Sequence, residues 1–87
     1  MSHAEIVNVL VQYLHETNPV AKAYGRIPLD RPLHEAGILD SYGVIEMVAF
    51  IEDRFSIRIL DSEITEERFG GMNRMAALIG DKLAGRC

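Results

Sequence analysis

The sequence has few of the features that build disulfide-stapled or membrane-bound proteins. It contains one cysteine among 87 residues, so an internal disulfide framework is excluded and a reducing cytoplasm is the expected compartment. No apolar run approaches the length of a bilayer span, and no basic segment precedes an apolar one as a secretory signal requires. These absences predict a cytoplasmic chain without a membrane span.

Basic residues are also scarce. Nine lysines and arginines stand against thirteen acids, and the net charge of -4 argues against nucleic acid, whose phosphates need a basic footprint. The acids concentrate in residues 41–67, where two arginines face seven acids and the net charge is -5. We expect this segment to meet a basic partner, although the charge alone also fits an ordinary solvated face.

Catalytic and metal-binding patterns are missing as well. His3, His15 and His34 have no partner at metal-ligand spacing, so each is interpreted as a surface residue. The pair Gly70-Gly71 does not fit a phosphate-binding loop and is interpreted as a helix break. Cys87 ends the chain, where no base is positioned to activate its thiol. Neither a catalytic site nor a metal site is predicted.

What the sequence does contain is helical periodicity. Apolar residues recur at helical spacing in three segments, which predicts one small all-α domain over residues 1–87, with three longer helices and one short one. The predicted elements are helix I over residues 4–16, a long loop over 17–40, helix II from Ser41 to Arg54 or Phe55, a short third helix over 61–67, and a last helix after Gly71 that ends before Gly85.

Local signals set these boundaries. Ser2 and Glu5 form a capping-box pattern at the start of helix I, and Asn18-Pro19 ends that helix because a residue before proline leaves the helical region. Glycines and prolines punctuate the long loop, and its apolar side chains are expected to pin it to the core. Those side chains are Ile27, Leu29, Leu33, Ile38 and Leu39.

Asp40-Ser41, at the start of helix II, is the one constellation that suggests a site. Serine is among the best N-cap residues, and a cap contributes about 1 kcal/mol. Taken alone, Ser41 is therefore interpreted as a helix cap. The predicted inner face of helix II consists of Val44, Val48, Ile51 and Phe55, which leaves the other side of the helix exposed beside the serine.

The surrounding pattern changes that interpretation. The stretch from Leu33 to Ile79 resembles an acyl carrier protein, the family that bears phosphopantetheine. The matching residues are Leu33, Gly37, Asp40, Ser41, Glu46, Val48, Ile51, Glu52, Phe55, Ile57, Ile59, Glu63, Phe69 and Ile79. The resemblance implies the small helical bundle of that family, with a long loop between helices I and II.

The resemblance also implies a function. Ser41 would carry a covalent 4'-phosphopantetheine arm, which a phosphopantetheinyl transferase moves from coenzyme A, and Asp40 would contribute to recognition by that transferase. The arm holds carboxylic acids as thioesters, so the partners would be an acyl- or aminoacyl-loading ligase and downstream acyl-transfer enzymes. The chain would be a monomeric carrier, not an enzyme, that raises the effective concentration of a tethered substrate.

Helix II would be the surface that these partners recognise. With the predicted inner face turned to the core, the residues on the partner side are Tyr42, Ile45, Glu46, Ala49, Glu52 and Asp53. Met47 and Phe50 are expected to pack inside. A partner would meet this face with a small apolar centre and a basic rim.

Some positions differ from the commonest family pattern. Tyr42 and Gly43 follow the serine where leucine and an acid are usual, and Arg54 stands where fatty-acid carriers usually keep an acid. The motif looks closer to stand-alone D-alanyl, aminoacyl or specialised-pathway carriers than to housekeeping fatty-acid synthesis.

Two other interpretations remain. In one, the chain is an unmodified helical adaptor that binds a basic partner through the acidic face of helix II, and Ser41 is only a cap. In the other, the chain is a helix-turn-helix DNA-binding domain. The DNA-binding interpretation fares worst, because helix II lacks a row of lysines and arginines to meet phosphate.

Overall fold

The computed structural model describes residues 2–24, 27, 30, 33, 37–38 and 41–85, with the backbone alone at Tyr24, Ser41 and Glu66. This part of the chain is all helical and contains no strand. Its elements are α1 (His3–Thr17), α2 (Pro19–Tyr24), α3 (Ser41–Phe55), a 3₁₀ turn (Asp61–Glu63), α4 (Glu66–Phe69) and α5 (Met72–Gly85). The predicted all-α class and its three longer helices are confirmed.

Helix α1 begins at the predicted capping box. The Ser2 hydroxyl accepts a hydrogen bond from the Glu5 N–H at 3.2 Å, and the Glu5 carboxylate accepts one from the Ser2 N–H at 2.9 Å. Two N–H groups that the helix leaves without partners are thereby satisfied. The helix extends one residue beyond the predicted range at each end, and its inner face is buried, with Ile6 and Leu10 almost wholly inaccessible.

The predicted loop over residues 17–40 contains a helix that the sequence did not indicate. Helix α2 begins at Pro19, a first helical position where the missing N–H costs nothing. Asn18 caps it, since its side-chain oxygen accepts the Ala21 N–H at 3.0 Å. Asn18-Pro19 therefore ends one helix and starts the next, whereas the pair was interpreted only as a stop.

The rest of that loop is fastened to the bundle by the side chains expected to pin it. Ile27, Leu33 and Ile38 are buried, while Leu29 and Leu39 lie outside the described residues. The Leu33 N–H donates to the Gly70 carbonyl at 3.0 Å, which joins the loop to the turn before α5. The chain thus returns to the core before it enters α3.

The third helix was predicted as one piece over residues 61–67, and this is wrong. Ile64 leaves the helical conformation, with ψ at 70°, and separates the 3₁₀ turn from α4. Thr65 then starts α4, because its hydroxyl accepts the Arg68 N–H at 3.2 Å. The Thr65 hydroxyl thus favours a new helix that begins at Glu66 over one continuous helix from residue 61.

The core is one continuous apolar cluster built from the inner faces of the helices. Its largest wholly buried side chains are Ile6, Leu10, Leu14, Leu33, Met47, Ile51, Met72, Met75, Leu78 and Ile79. The predicted inner face of α3 is partly corrected. Met47, Ile51 and Phe55 form the buried row at four-residue spacing, whereas Val44 and Val48 are only half-buried at its edge. No helix in the described ranges has the length and hydropathy needed to cross a bilayer.

Candidate functional site

The candidate site lies at the start of α3. The helix begins at Ser41, so Ser41 is its first helical residue and not the cap that precedes it. Asp40 and the Ser41 side chain lie outside the described residues. The interpretation of Ser41 as an N-cap is therefore corrected by one position, within the usual uncertainty of a helix boundary.

The electrostatics at this helix start favour an anion. A helix of fifteen residues has the positive end of its dipole at the first turn, where backbone N–H groups have no helical partner. Within the described helix, the first turn of α3 carries no acidic side chain. Gly43 is half-buried in that turn and adds no side chain. A serine-linked phosphodiester fits this position.

An exposed strip runs along α3 from the candidate serine. We define the outer strip as Tyr42, Ile45, Glu46, Ala49 and Asp53, all of which are exposed. Tyr42 and Ile45 are 65% and 69% exposed, although large apolar side chains are usually buried. They lie three residues apart and therefore on neighbouring positions of one helix face. Five of the six predicted partner-binding residues thus share a single accessible face.

Glu52, the sixth predicted partner residue, is placed differently. It is half-buried, and its carboxylate accepts the Ile59 N–H at 2.8 Å. This contact connects α3 to the segment that follows it. The sequence offered no sign of the contact, because a glutamate and an amide seven residues apart in an irregular segment have no recognisable spacing. A role for Glu52 in partner binding remains a prediction.

The two residues expected to pack inside do so. Met47 is wholly buried, and the Phe50 ring stacks on the Tyr13 ring of α1 with the centroids 4.1 Å apart and the planes 19° apart. This contact joins α3 to α1 along the side of α3 that is not part of the outer strip. The outer strip therefore lies on a helix whose opposite side packs against the core and α1.

Two residues with notable contacts or conformation before α3 were not assigned a role from the sequence. Gly37 has a φ of 75°, in the left-handed region that favours glycine, so its place in the motif has a backbone reason. Asn18 reaches the carbonyl of Ile38, three residues before Ser41, at 2.6 Å. A glycine near a loop end hints at such a conformation, but no sequence signal connects Asn18 to Ile38.

The clefts found among the described residues lie away from the start of α3. One cleft of about 560 Å³ is lined by Ser56, Ile57, Arg58, Lys82 and Gly85. Another of about 260 Å³ is lined by Val9, Gln12, Tyr13, Glu16, Phe50 and Arg54. Within the same ranges, no three His, Cys, Asp or Glu side chains come close enough to hold a metal ion. Neither of these two clefts adjoins the start of α3, where the described residues form a helix start and an exposed face.

A serine at the start of a helix, a long segment before it and an exposed strip beside it, on an all-α fold, are the arrangement that the resemblance to acyl carrier proteins implies. The D-alanyl carrier proteins of Streptococcus sanguinis, Streptococcus gordonii and Streptococcus thermophilus are each 36% identical to this chain over 47 residues. These comparisons confirm the predicted resemblance to the carrier family and to its D-alanyl members.

The match is partial in length. It covers 54% of this chain and 60% of each relative, so the chain spans about three fifths of the curated relatives it matches. No family model matches the chain.

Proposed function

We propose that this chain is an acyl or aminoacyl carrier protein. Ser41 carries a 4'-phosphopantetheine arm, and the chain presents thioester-bound substrates to the enzymes of a biosynthetic pathway other than housekeeping fatty-acid synthesis. The observation that carries the proposal is the position of Ser41 as the first residue of α3, next to the outer strip. The D-alanyl carrier relatives support it, and their name describes a carrier and not an enzyme.

The start of α3 suits the proposed attachment. The phosphodiester would lie against the N–H groups of the first turn, at the positive end of the helix dipole. When bound, the arm supplies a terminal thiol that holds the cargo as a thioester. Ser41 provides the attachment oxygen, and Asp40 contributes to recognition by the phosphopantetheinyl transferase.

The outer strip would be the docking face for the transferase, the loading ligase and the acyl-transfer enzymes. Tyr42 and Ile45 form its apolar centre, and Glu46 and Asp53 supply negative charge around it. A partner with an apolar pocket and a rim of arginine and lysine would complement this face, with the charges steering the encounter. The cargo class suggested by the relatives' name is an aminoacyl group, with D-alanine the first to test.

The attachment is tested by intact mass spectrometry after incubation with a broad-specificity phosphopantetheinyl transferase, magnesium and coenzyme A. We expect the wild-type chain to gain one phosphopantetheine and Ser41→Ala to gain none. Ser62→Ala is the matched control, because Ser62 is an exposed serine in the 3₁₀ turn, and this variant should gain the arm normally.

A folded and initially unmodified wild-type chain that gains no mass would contradict the carrier proposal. The adaptor interpretation would then be favoured by the same exposed apolar and acidic residues of the outer strip. If the arm attaches, the mass of the chain recovered from its own cells reports the cargo. Hydroxylamine should remove that cargo, and Ser41→Ala should lack it.

A further inference from the structure

Asn18 connects three parts of the chain through one residue. Its backbone N–H donates to the Leu14 carbonyl at 2.8 Å and closes α1. Its side-chain oxygen accepts the Ala21 N–H at 3.0 Å and caps α2. Its side-chain amide donates to the Ile38 carbonyl at 2.6 Å. The partners fix the orientation of the amide group, because an N–H on one side requires the oxygen and a carbonyl on the other requires the nitrogen.

The bond to Ile38 serves a different purpose from the cap. Ile38 is buried, and its N–H donates to the Leu33 carbonyl at 2.9 Å. Both the N–H and the carbonyl of Ile38 are therefore hydrogen-bonded. Ser41 is the third residue after Ile38, which confines the two Cα atoms to within about 11 Å of each other. The amide of Asn18 therefore anchors the chain shortly before it enters α3.

From these contacts we infer that Asn18 is a positioning residue for Ser41, an inference that rests on the proposed function. Without the amide donor, the half-buried Ile38 carbonyl loses its partner and the entering segment gains alternative arrangements. A smaller fraction of chains then presents Ser41 as the transferase requires. A reduced competent fraction raises the apparent KM of the transferase for the carrier while kcat stays the same.

Two substitutions separate the anchor from the cap. Asn18→Asp keeps an oxygen for the Ala21 N–H but places a carboxylate against the Ile38 carbonyl. Asn18→Ser keeps a good N-cap with a side chain too short to serve both partners. The matched control is Asn8→Asp, which makes the same charge change on an exposed α1 side chain with no hydrogen bond to the described residues.

The experiment measures transferase kinetics on each full-length variant, well below its thermal midpoint, where a moderate loss of stability leaves the population folded. Both Asn18 variants should raise KM by roughly three- to tenfold, the equivalent of one hydrogen bond, with kcat unchanged. Asn8→Asp should match the wild type. A cap-only role predicts wild-type KM for the two capping variants and would overturn the inference.

The remaining outcomes are equally decisive. An equal rise of KM in Asn8→Asp would show an effect of charge and not of the anchor. Loss of the folded state in both Asn18 variants would show that the residue serves the bundle as a whole. A wild-type chain that takes no arm would contradict the proposed function and, with it, this inference. Arm attachment with wild-type kinetics in every folded variant would contradict the inference alone.

Discussion

At the scale of single residues, the entry to α3 depends on backbone conformation as much as on side chains. Gly37 adopts a φ of 75°, and a Cβ built there would meet nothing within 4 Å. The glycine is therefore required for its conformation and not for space. An L-residue in this region costs about 1 kcal/mol or more, because its Cβ crowds the following carbonyl.

We expect Gly37→Ala to lower the free energy of unfolding by about 1 kcal/mol, as measured by urea denaturation. Gly85→Ala is the control, since a Cβ there also meets open space but the residue lies in α5 with no positive φ. An equal loss in both variants would show that the effect is not conformational. Gly37→Asn should lose less than Gly37→Ala, because asparagine tolerates the left-handed region better.

At the scale of elements, the connection between α3 and the 3₁₀ turn is held by carboxylates. Residues 57–59 alternate in polarity like a strand but have no strand to pair with among the described residues. The Glu52 carboxylate accepts the Ile59 N–H, and the Glu63 carboxylate accepts the Leu60 N–H, each at 2.8 Å. Glu63 also pairs with Lys82 of α5 at 2.7 Å. Two side chains thus replace the hydrogen bonds that a sheet would supply.

This connection makes the stability of the fold depend on pH. The hydrogen bond from Lys82 and then the Leu60 N–H lower the pKa of Glu63 below its ordinary value of 4.5. Since the folded-state pKa is the lower one, the stabilisation is present above the unfolded value and is lost as the pH falls through the folded value. Thermal midpoints measured from pH 7 to pH 3 should therefore fall less for Glu63→Gln than for the wild type.

The matched control for this prediction is Glu67→Gln, which removes an exposed carboxylate of α4 with no ion pair among the described residues. Its acid dependence should follow the wild type. If Glu63→Gln and the wild type lose stability in parallel below pH 4.5, the contact of Glu63 with Lys82 does not contribute as described.

The sequence predicts those elements that bury a long apolar stripe. The periodicity of α1, α3 and α5 placed their bounds within a residue or two, because tertiary burial reinforces the same pattern. The short helix α2 and the division at Ile64 were missed, since a helix of fewer than two turns has too few residues to show a period. Their bounds follow from single capping contacts of Asn18 and Thr65.

The candidate site was predictable for the same reason and within the same limit. The outer strip follows from the helical spacing of α3, and its exposure is as expected. What could not be predicted is which polar side chains bind the backbone of the chain itself. Glu52 meets Ile59, and Asn18 meets Ile38, only after the irregular segments have packed against the helices. The number of residues between the two partners does not indicate these contacts.

At the scale of the whole molecule, the acidic middle of the chain includes two pairs of acids with different surroundings. Glu52 and Glu63 bind backbone amides or a lysine, so their charge is used within the fold. Glu46 and Asp53 of the outer strip are exposed and make no hydrogen bond or ion pair with the described residues. Glu46 and Asp53 thus place negative charge that a partner can reach on the same strip that exposes Tyr42 and Ile45.

The exposed apolar and acidic side chains of the outer strip predict how the docking of a partner should respond to mutation. Ile45→Ala removes an apolar side chain that is 69% exposed, so the fold should lose little stability while a partner loses its central contact. We expect the KM of the phosphopantetheinyl transferase to rise by roughly tenfold, the scale of one central interface residue. Val20→Ala is the control, because Val20 is 47% exposed on α2 and outside the strip. Equal kinetics for the two variants would show that the outer strip is not where the transferase docks.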